Sequence, residues 1–332
     1  MSARTVVGYY AHHQGRGHLS RAEAIIARLD ADVTVLSSAE YDGPASYVPL
    51  PLDEGAPEDR PDAGGALHWA PLGSSGLRAR MARIVTWIEH ARPAAFVVDV
   101  SVEVALLARL CGVPTVVVAM PGDRSDGPHQ MAYRAADRIV AAWPRELYEP
   151  DWLREHAGRT AYVGGISRFA GRPALPLEAG DPKRVVVLGG QGGTSITRAA
   201  VERAAAGTPG WEWTALGVAG APWVTDPFAT LCAADVVVAA AGQSSVADLA
   251  VVRRPTVVLC ERRPYDEQLA TGAALERGGL ATVLRQWPAP EQWPGLLEAA
   301  IRQASADSSR WDQWRTDGAA ERAAAAIREV VR

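Results

Sequence analysis

Residues 184–194, RVVVLGGQGGT, join a short apolar run to a turn that contains four glycines. A run of Val and Leu bounded by Gly is typical of a parallel strand that is covered on both faces. A helical pattern follows, and we expect the helix to begin near Ser195. A strand, a glycine-rich turn and a helix in this order predict one βα unit of a parallel sheet.

The same order recurs on both sides of this stretch. Helical patterns at Ser20–Leu29, Leu77–Ala91 and Gly318–Arg332 alternate with apolar runs, and the alternation predicts an α/β protein with parallel sheets. The runs predict strands at Thr5–Tyr10, Val33–Ser37, Ala95–Asp99, Thr115–Ala119, Arg138–Ala142, Arg184–Leu188, Trp213–Gly217, Val236–Ala240, Thr256–Leu259 and Ala281–Leu284.

The alternation breaks at residues 167–182, SRFAGRPALPLEAGDP, which contain three prolines and show no periodicity. Such a segment is typical of a linker between domains. We therefore predict two doubly wound, Rossmann-like domains that face each other across a cleft. Their expected bounds are 1–166 and 183–315, with 167–182 as linker and 316–332 as a terminal helix.

The composition excludes several function classes. The 332 residues carry a net charge of −4 without a basic stripe, which argues against nucleic-acid binding. The three cysteines lie far apart in apolar runs, so we expect reduced thiols in a cytoplasmic protein.

The sequence predicts no membrane-spanning helix, because no apolar stretch approaches about 18 residues, the length of a membrane span. Leu77–Ala91, which carries Arg78, Arg80 and Arg83, is expected to pack on a sheet; peripheral contact with anionic lipid is the alternative.

The glycine-rich turn after Leu188 is the first candidate binding loop. Glycines allow close approach of the backbone to a ligand, and a helix N-terminus offers free N–H groups and a positive dipole end. A diphosphate fits this environment, and a merely tight turn is the alternative. The candidate residues are Gly190, Gln191, Gly192, Gly193 and Thr194.

Two further loops follow predicted strands of the second half. The first, AAAGQSSVADL, offers backbone and hydroxyl donors at a helix start, with Asp248 one turn later as a possible acceptor from a ribose diol. Helix capping is the alternative. The second, ERRPYDEQ, carries groups able to hold sugar hydroxyls, unless it is simply a solvated loop. The candidates are Gly242, Gln243, Ser244, Ser245, Asp248, Asp266, Glu267 and Gln268.

The loop after the first strand, HHQGRGHLSR, contains Gly17, a candidate donor-binding residue, and His18. A histidine that faces a cleft between domains has a suitable pKa range for a general base. His12, His13 and His18 lack the carboxylate or cysteine spacing of a metal site, so we expect no metal. Asp99 ends a strand at the same sheet edge and is a second catalytic candidate. Residues expected to line an acceptor pocket are Arg21, Asp123, Arg124 and His129.

Together these loops resemble the family 28 glycosyltransferases of the GT-B fold, which include the lipid II-forming N-acetylglucosaminyltransferase. Residues 234–284, from ADVVVAAAGQSSVADL onward, resemble the donor-binding segment of that family. The resemblance implies a nucleotide-sugar donor, with a UDP-sugar favoured, and an inverting transfer in which His18 is the general base. It further implies diphosphate binding by Gly190 to Thr194, ribose binding by Asp248, sugar contacts by Glu267 and Gln268, and base contacts near Val224. It also implies that the terminal helix, 316–332, packs back on the first domain.

The sequence departs from the family pattern at two positions. Asp248 stands where the lipid II enzyme has a glutamate, and Glu267 replaces a second glutamine, which affects the choice of nucleotide and sugar. The segment GRGHLSR also resembles the UDP-sugar hydrolases of pseudaminic acid synthesis, which use the histidine to activate water. A hydrolase with the same donor site is therefore the alternative function, and a catalytically silent nucleotide-sugar binding protein is a third.

Overall fold

The computed structural model describes residues 4–53, 59–176, 180–190, 192–306 and 309–331, so Gln191 of the predicted diphosphate loop lies outside the described residues. Two all-parallel sheets with flanking helices confirm the predicted α/β class. The first sheet contains β1 Val6–Ala11, β2 Asp32–Ser37, β3 Ser46–Pro49, β4 Ala95–Asp99, β5 Thr115–Ala119, β6 Arg138–Ala141 and β7 Thr160–Tyr162. The second contains β8 Lys183–Leu188, β9 Trp211–Leu216, β10 Val236–Ala240, β11 Thr256–Leu259 and β12 Thr282–Leu284.

Helices connect the strands and cover both sheets. Their apolar faces pack on strands whose interior residues are almost entirely buried. The helices are α1 Gly17–Ile26, α2 Ser75–Ala91, α3 Val102–Leu110, α4 Gly127–Ala135, α5 Asp151–Arg154, α6 Arg198–Ala206, α7 Phe228–Cys232, α8 Gln243–Val252, α9 Glu267–Arg277, α10 Trp293–Ala306 and α11 Ala319–Arg328.

Each sheet reverses its winding direction once, next to its first strand. The first sheet runs β3-β2-β1-β4-β5-β6-β7, so the reversal lies between β1 and β4. The second runs β12-β11-β10-β8-β9, so the reversal lies between β8 and β10. Open α/β sheets bind ligands at such switch points, outside the carboxyl ends of the strands. The loops that follow these four strands are therefore the expected binding loops.

The differences from the predicted elements have local causes. The strands β3 and β7 were not predicted, because they are short edge strands with half-buried residues and lack a continuous apolar run. Helix α1 begins at Gly17, three residues before the predicted start. Helix α6 begins at Arg198, beyond the expected Ser195, because the Thr197 side chain accepts the Ala200 amide and caps the helix there.

Helix α2 packs on the first sheet through Ile84 and Ile88, whereas Val85 is partly exposed. Arg80, one of three arginines considered for lipid contact, is buried and forms an ion pair with Asp53 at 2.8 Å. This pairing removes Arg80 from any membrane-facing surface. In the part of the chain that the structure describes, no helix is both long and apolar enough to cross a bilayer.

The chain passes from one core to the other within a few residues. Ile166 packs in the core of the first sheet, and Phe169 packs in that of the second, against Phe228. Helix α11 then returns to the first sheet, where Ala323 and Ile327 are fully buried beside α1. The amino-terminal core therefore includes residues from both ends of the sequence.

We predict that Ile327→Ala lowers the free energy of unfolding by about 2 to 5 kcal/mol, because it removes buried methyl groups and leaves a cavity. Denaturant unfolding followed by tryptophan fluorescence measures the loss. The control is Glu321→Ala on the same helix, which removes a half-exposed ion pair with Arg28 and should cost less than about 1 kcal/mol. Equal losses in the two variants would contradict the packing role of α11.

Candidate functional site

A cleft of about 640 Å³ lies between the carboxyl ends of the two sheets. The loops after β1, β8, β10 and β11 meet there, together with the first turns of α1 and α8. The structure thus brings most of the predicted site residues to one cavity. Those that line it are Gly17, His18, Arg21, Arg124, Gly190, Gly192, Gly193, Val224, Gly242, Gln243, Ser244, Ser245, Asp248, Glu267 and Gln268.

A histidine–carboxylate pair lies at the amino-terminal wall of the cleft. His18 is in the first turn of α1, and Asp99 is the last residue of β4, paired with Ala11 at the end of β1. The distance from His18 Nδ1 to Asp99 Oδ1 is 2.8 Å. Arg21 Nη2 also lies 3.1 Å from Nδ1, but the carboxylate is closer and only accepts hydrogen bonds. We therefore assign the proton to Nδ1, which leaves Nε2 to accept one. This is the arrangement of a general base that is oriented by a carboxylate.

Asp99 is fully buried and ionised. Burial by itself raises its pKa, but the charges and hydrogen bonds of Arg21 and His18 outweigh this effect and hold the pKa well below its usual range. Arg21 donates from Nε to Oδ2 at 2.8 Å and from Nη2 to Oδ1 at 2.6 Å. We predicted Arg21 on the acceptor side of the cleft, but its guanidinium is buried and engaged by Asp99.

The backbone after Asp99 is strained. Val100 has φ = +65°, a left-handed conformation that a β-branched residue rarely adopts. Such outliers cluster at active sites, where the surrounding structure maintains them. Val100 also lines the cleft, so the strained turn and the histidine–carboxylate pair form one wall.

Arg21 also joins the two halves of the protein. Its Nη1 donates to Gln243 Oε1 at 2.5 Å, and Gln243 Nε2 donates to the carbonyl of Ala142 at 3.3 Å. Nearby, Ser244 lies against the backbone of Gly17, where a Cβ would approach Ser244 Oγ to 2.8 Å. The Gln243 side chain, predicted as a donor ligand, is thus part of the contact between the domains.

Two helix N-termini open into the cleft. Within the described residues neither α1 nor α8 has a side chain that caps its first turn. Gly242, Ser244 and Ser245 lie at the start of α8 and line the cleft. The free N–H groups and the positive dipole ends make this region favourable for an anion.

The glycine-rich loop forms a hydrogen-bonded turn at the opposite wall, in which the Gly193 amide donates to the Gly190 carbonyl at 3.1 Å. Gly193 requires its glycine, because its φ is +84°. A Cβ on Gly190 or Gly192 would meet no described atom within 4 Å. The loop therefore leaves space where a ligand can approach its backbone.

Two residues that we did not select from the sequence hold this loop. Glu261 is buried, and its Oε1 accepts hydrogen bonds from Thr194 Oγ1 at 2.7 Å and from the Ser195 amide and hydroxyl. Arg263 donates to the Gly193 carbonyl at 2.5 Å and to Glu261 at 3.1 Å, and it lines the cleft. Arg263 places a cation beside the predicted diphosphate loop. Thr194 supports the loop and does not line the cleft.

Asp248 is buried at the edge of the cleft, within α8. Its Oδ1 accepts a hydrogen bond from Ser167 Oγ at 2.7 Å, and its Oδ2 accepts one from Arg168 Nε at 2.9 Å. Burial raises the pKa of Asp248, while Arg168 and Ser167 counteract part of the rise. The carboxylate thus anchors the predicted linker. Each carboxylate oxygen can accept two hydrogen bonds, so a ribose hydroxyl still has a possible acceptor.

The loop after β11 supplies two predicted residues to the cleft. Gln268 is buried, and its Oε1 accepts a hydrogen bond from the Glu261 backbone amide at 2.9 Å. Glu267 faces Arg124 of the other domain at 3.8 Å, and burial raises its pKa. Asp266, by contrast, is exposed and does not line the cleft. Its backbone and that of Tyr265 are left-handed, with φ of +54° and +61°.

An aromatic side chain lies beside Val224 in the cleft. Trp223 is 44% exposed and packs against Gly217, where a Cβ would lie 3.1 Å from its ring. A half-exposed indole at a cleft wall offers a flat face for a ring-containing ligand. Neither composition nor periodicity distinguished Trp223 from the buried tryptophans of the core.

The three remaining acceptor-side candidates have different positions. Asp123 is exposed, and its Oδ1 accepts the Ser125 amide, so it caps its own loop. Arg124 is buried, with its guanidinium 4.3 Å from the centre of the Tyr265 ring. His129 lines a second cavity of about 580 Å³, whose wall is formed by the amino-terminal domain and by Tyr265 of the other domain. We call this space the side cavity; its lining residues include Trp69, Met81, Val100, Met120, His129, Tyr133 and Tyr265.

His129 also belongs to a group that was not recognised from the sequence. Asp126 accepts hydrogen bonds from His68 Nε2 at 2.8 Å and from His129 Nδ1 at 2.5 Å. Their potential metal-ligand atoms lie within 4.8 Å of one another. Arg124 Nη1 lies 3.4 Å from His129 Nε2, so it donates to that nitrogen and favours a proton on Nδ1. These hydrogen bonds by themselves account for the close approach of His68, Asp126 and His129.

We predict that Arg21→Met lowers the free energy of unfolding at pH 7 by about 3 to 5 kcal/mol, because it leaves the buried charge of Asp99 without its main partner. The difference in free energy of unfolding between the wild type and the variant should become smaller as pH falls from 7 toward 4. In the variant, protonation of Asp99 removes the unpaired charge, whereas the wild type loses stability on protonation because its Asp99 pKa is depressed.

Denaturant unfolding at several pH values measures both effects. Arg16→Met is the matched control, because Arg16 precedes the same helix and its ion pair with Asp42 is exposed. A pH-independent gap between Arg21→Met and the wild type would refute the assignment of an ionised Asp99.

No family model matches the chain, whereas comparison with curated proteins finds sequence relatives. A Sorangium cellulosum protein named UDP-N-acetylglucosamine–N-acetylmuramyl-(pentapeptide) pyrophosphoryl-undecaprenol N-acetylglucosamine transferase is 30% identical over 266 residues. The match covers 69% of this chain and 62% of that relative. The chain thus spans less than two thirds of the curated relative's length.

Solved structures match nearly the whole chain. The glycotransferase of kitacinnamycin superposes with a TM-score of 0.68 at 18% identity, covering 99% of this chain and 100% of that one. Acinetobacter baumannii MurG gives 0.64 at 15%, covering 98% and 100%. Arabidopsis thaliana UGT89C1 complexed with UDP gives 0.69 at 14%, covering 99% and 100%. The chain therefore has the GT-B fold, and over 69% of its length its sequence resembles that of a family 28 glycosyltransferase.

Proposed function

We propose that this chain is an inverting glycosyltransferase that moves a sugar from a nucleotide-diphosphate sugar, with a UDP-sugar favoured, to an acceptor hydroxyl. The observation that carries the proposal is the His18–Asp99 pair, at 2.8 Å, on the wall of a cleft whose opposite wall is a glycine-rich loop. The name of the Sorangium relative, a UDP-N-acetylglucosamine-dependent transferase, and the UDP complex of UGT89C1 support the choice of donor.

The donor is proposed to lie along the carboxyl-terminal wall of the cleft. The diphosphate would contact the glycine-rich loop and the uncapped start of α8, where free N–H groups can donate hydrogen bonds to an anion. The nucleotide base would stack near Trp223 and Val224. The remaining proposed contacts are the ribose with Asp248 and the sugar with Glu267 and Gln268.

The proposed reaction is a single displacement. His18 Nε2 takes the proton of the acceptor hydroxyl, while Asp99 stabilises the resulting imidazolium. The acceptor oxygen attacks the anomeric carbon from the face opposite the diphosphate, and the bond from that carbon to the diphosphate oxygen breaks. The nucleoside diphosphate leaves with the bonding electrons. Because one displacement occurs at this carbon, its configuration inverts.

We further propose that groups of the chain itself, without a metal cofactor, stabilise the leaving diphosphate. Arg263 supplies a positive charge beside Gly193, which it shares with its ion pair to Glu261. The N-termini of α1 and α8 supply oriented partial charges within the same cleft. Preorganised donors of this kind stabilise charge as it develops, without reorganisation during the reaction.

Hydrolysis of the nucleotide sugar is the alternative reaction, with water in place of the acceptor. The same histidine–carboxylate pair would activate the water molecule. The side cavity favours transfer, because it adjoins the cleft and provides a place for an acceptor larger than water. We also propose that the reaction takes place in the cytoplasm, since three free cysteines suit a reducing compartment.

We predict that His18→Ala lowers the turnover of the donor by about 10²- to 10⁴-fold, the usual contribution of a general base. Binding of UDP should change less than twofold, because the proposed nucleotide contacts lie on the opposite wall. Isothermal titration with UDP measures binding, and chromatography of UDP released from a panel of UDP-sugars measures turnover. His90→Ala, an exposed residue of α2, is the control.

Adding acceptors to the same assay separates the two reactions. Turnover that requires an acceptor and depends on His18 supports the transferase. Rapid release of free sugar without any acceptor identifies the hydrolase instead. If His18→Ala kept wild-type turnover in both assays, the proposed base would be wrong.

We predict that Arg263→Met weakens UDP binding and lowers turnover by at least about tenfold, because it removes a charge that stabilises the diphosphate. Arg263→Lys should recover part of the loss, since it restores the charge. Arg262→Met is the matched control, because the neighbouring Arg262 is exposed and does not line the cleft. EDTA should leave wild-type turnover unchanged; its abolition by EDTA and recovery with Mg²⁺ would disprove the metal-independent mechanism.

A further inference from the structure

The side cavity opens next to the proposed reaction centre. Six residues line both the side cavity and the cleft: His12, Gln14, Val100, Met120, Arg124 and Tyr265. The rings of His12 and His18 lie 5.9 Å apart between their centres. A molecule held in the side cavity can therefore present a hydroxyl group at the wall that carries His18.

The charged groups of its wall already have partners. Among the described residues, Asp53, Arg80, Glu103 and Arg124 are the charged side chains that line it. Arg80 and Asp53 pair with each other through two hydrogen bonds, at 2.8 and 3.2 Å. Glu103 accepts the backbone amides of residues 68 and 69 at 2.8 and 3.1 Å. The two positive and two negative charges balance.

Arg124 is similarly engaged. It donates twice to the Pro121 carbonyl, at 3.0 and 3.2 Å, and it faces Glu267 and the Tyr265 ring. Burial lowers the pKa of two histidines of the wall, that of His12 to about 3 and that of His129 to about 4. Both rings are thus neutral near pH 7. Neither arginine of the described wall is therefore left unpaired for an anionic group.

The rest of the wall suits a compact apolar molecule. Trp69, Tyr133 and Tyr265 offer aromatic surface, and Met81 and Met120 offer flexible thioether side chains that adapt to irregular shapes. A volume of about 580 Å³ lies within the usual range for small-molecule sites, about 300 to 1,000 Å³.

We propose that the acceptor is an uncharged, ring-containing small molecule with a hydroxyl group, held in the side cavity. This inference rests on the proposed transferase function and specifies its acceptor. It distinguishes the chain from its Sorangium relative, whose name gives a pyrophosphoryl-undecaprenol acceptor. A pyrophosphate in the side cavity would lose its hydration without gaining a free cation, which is unfavourable.

His12 has a positioning role in this arrangement. Its Nδ1 accepts the Gln14 amide at 3.2 Å, so the neutral ring carries its proton on Nε2. That N–H can donate to the acceptor hydroxyl oxygen at the junction of the two cavities. The hydroxyl proton is then left for His18.

The test measures binding to the full chain at pH 7 by isothermal titration in the presence of saturating UDP. The uncharged probes are 1-naphthol and estradiol, and the anionic probe is geranyl pyrophosphate. We expect at least one uncharged probe to bind, and to bind more tightly than geranyl pyrophosphate. Tighter binding of geranyl pyrophosphate, or no binding of either uncharged probe, would overturn the proposal.

A cavity-filling variant locates the binding. Met81→Trp should weaken binding of the uncharged probe at least tenfold and leave UDP binding unchanged. Leu110→Trp is the matched control, because Leu110 is 84% exposed and lies outside both cavities. If Met81→Trp loses UDP binding through misfolding, Leu77→Trp fills the same space from the previous turn of α2. Equal probe affinity in the filled variant and the control would refute the side cavity as the site.

The proposed transferase function and the inference about its acceptor can fail separately. Failure of the wild type to bind UDP or any UDP-sugar would remove the proposed transferase function itself. Normal UDP binding and turnover, together with an acceptor that is anionic or that binds elsewhere, would remove only the inference about the acceptor.

Discussion

The buried carboxylate of Asp99 is the interaction on which the site depends. A fully buried charge is tolerated only when it is paired and hydrogen-bonded, and here Arg21 and His18 both satisfy it. This requirement orients the His18 ring and leaves Nε2 as its accepting nitrogen. It also positions the Arg21 guanidinium so that Nη1 reaches Gln243 of the other domain. One charge thus determines the tautomer of the proposed base and contributes to the contact between the domains.

The parallel topology explains why the two halves form a single site. Each sheet has its switch point beside its first strand, and the loops that leave these points face one another. The amino-terminal loops carry the histidine–carboxylate pair, whereas the carboxyl-terminal loops carry the glycines, Glu261 and Arg263. A base and an anion-binding surface on opposite walls are what a displacement with a diphosphate leaving group requires.

The two cavities differ in their electrostatics. Helix N-termini and Arg263 make the cleft favourable for an anion, while the wall of the side cavity has balanced charges and much aromatic surface. Val100, in its strained conformation, lies between them. The separation suits the proposed arrangement, in which an anionic donor and an uncharged acceptor lie on either side of His18.

The sequence by itself determined the fold class, the interior strands and the loops at their carboxyl ends, because continuous apolar runs and glycine-rich turns are local patterns. It indicated His18 and Asp99 for the same reason, since each follows or ends such a run. It did not reveal the edge strands β3 and β7, whose half-buried residues depend on neighbours distant in the chain.

Only the tertiary structure decided that Arg21 pairs with Asp99, that Asp248 anchors residues 167 and 168, and that Asp266 lies outside the cleft. It alone showed the roles of Glu261, Arg263 and Trp223 and the existence of the side cavity, because hydrogen-bond partners, burial and enclosed volume arise from residues that meet only after folding.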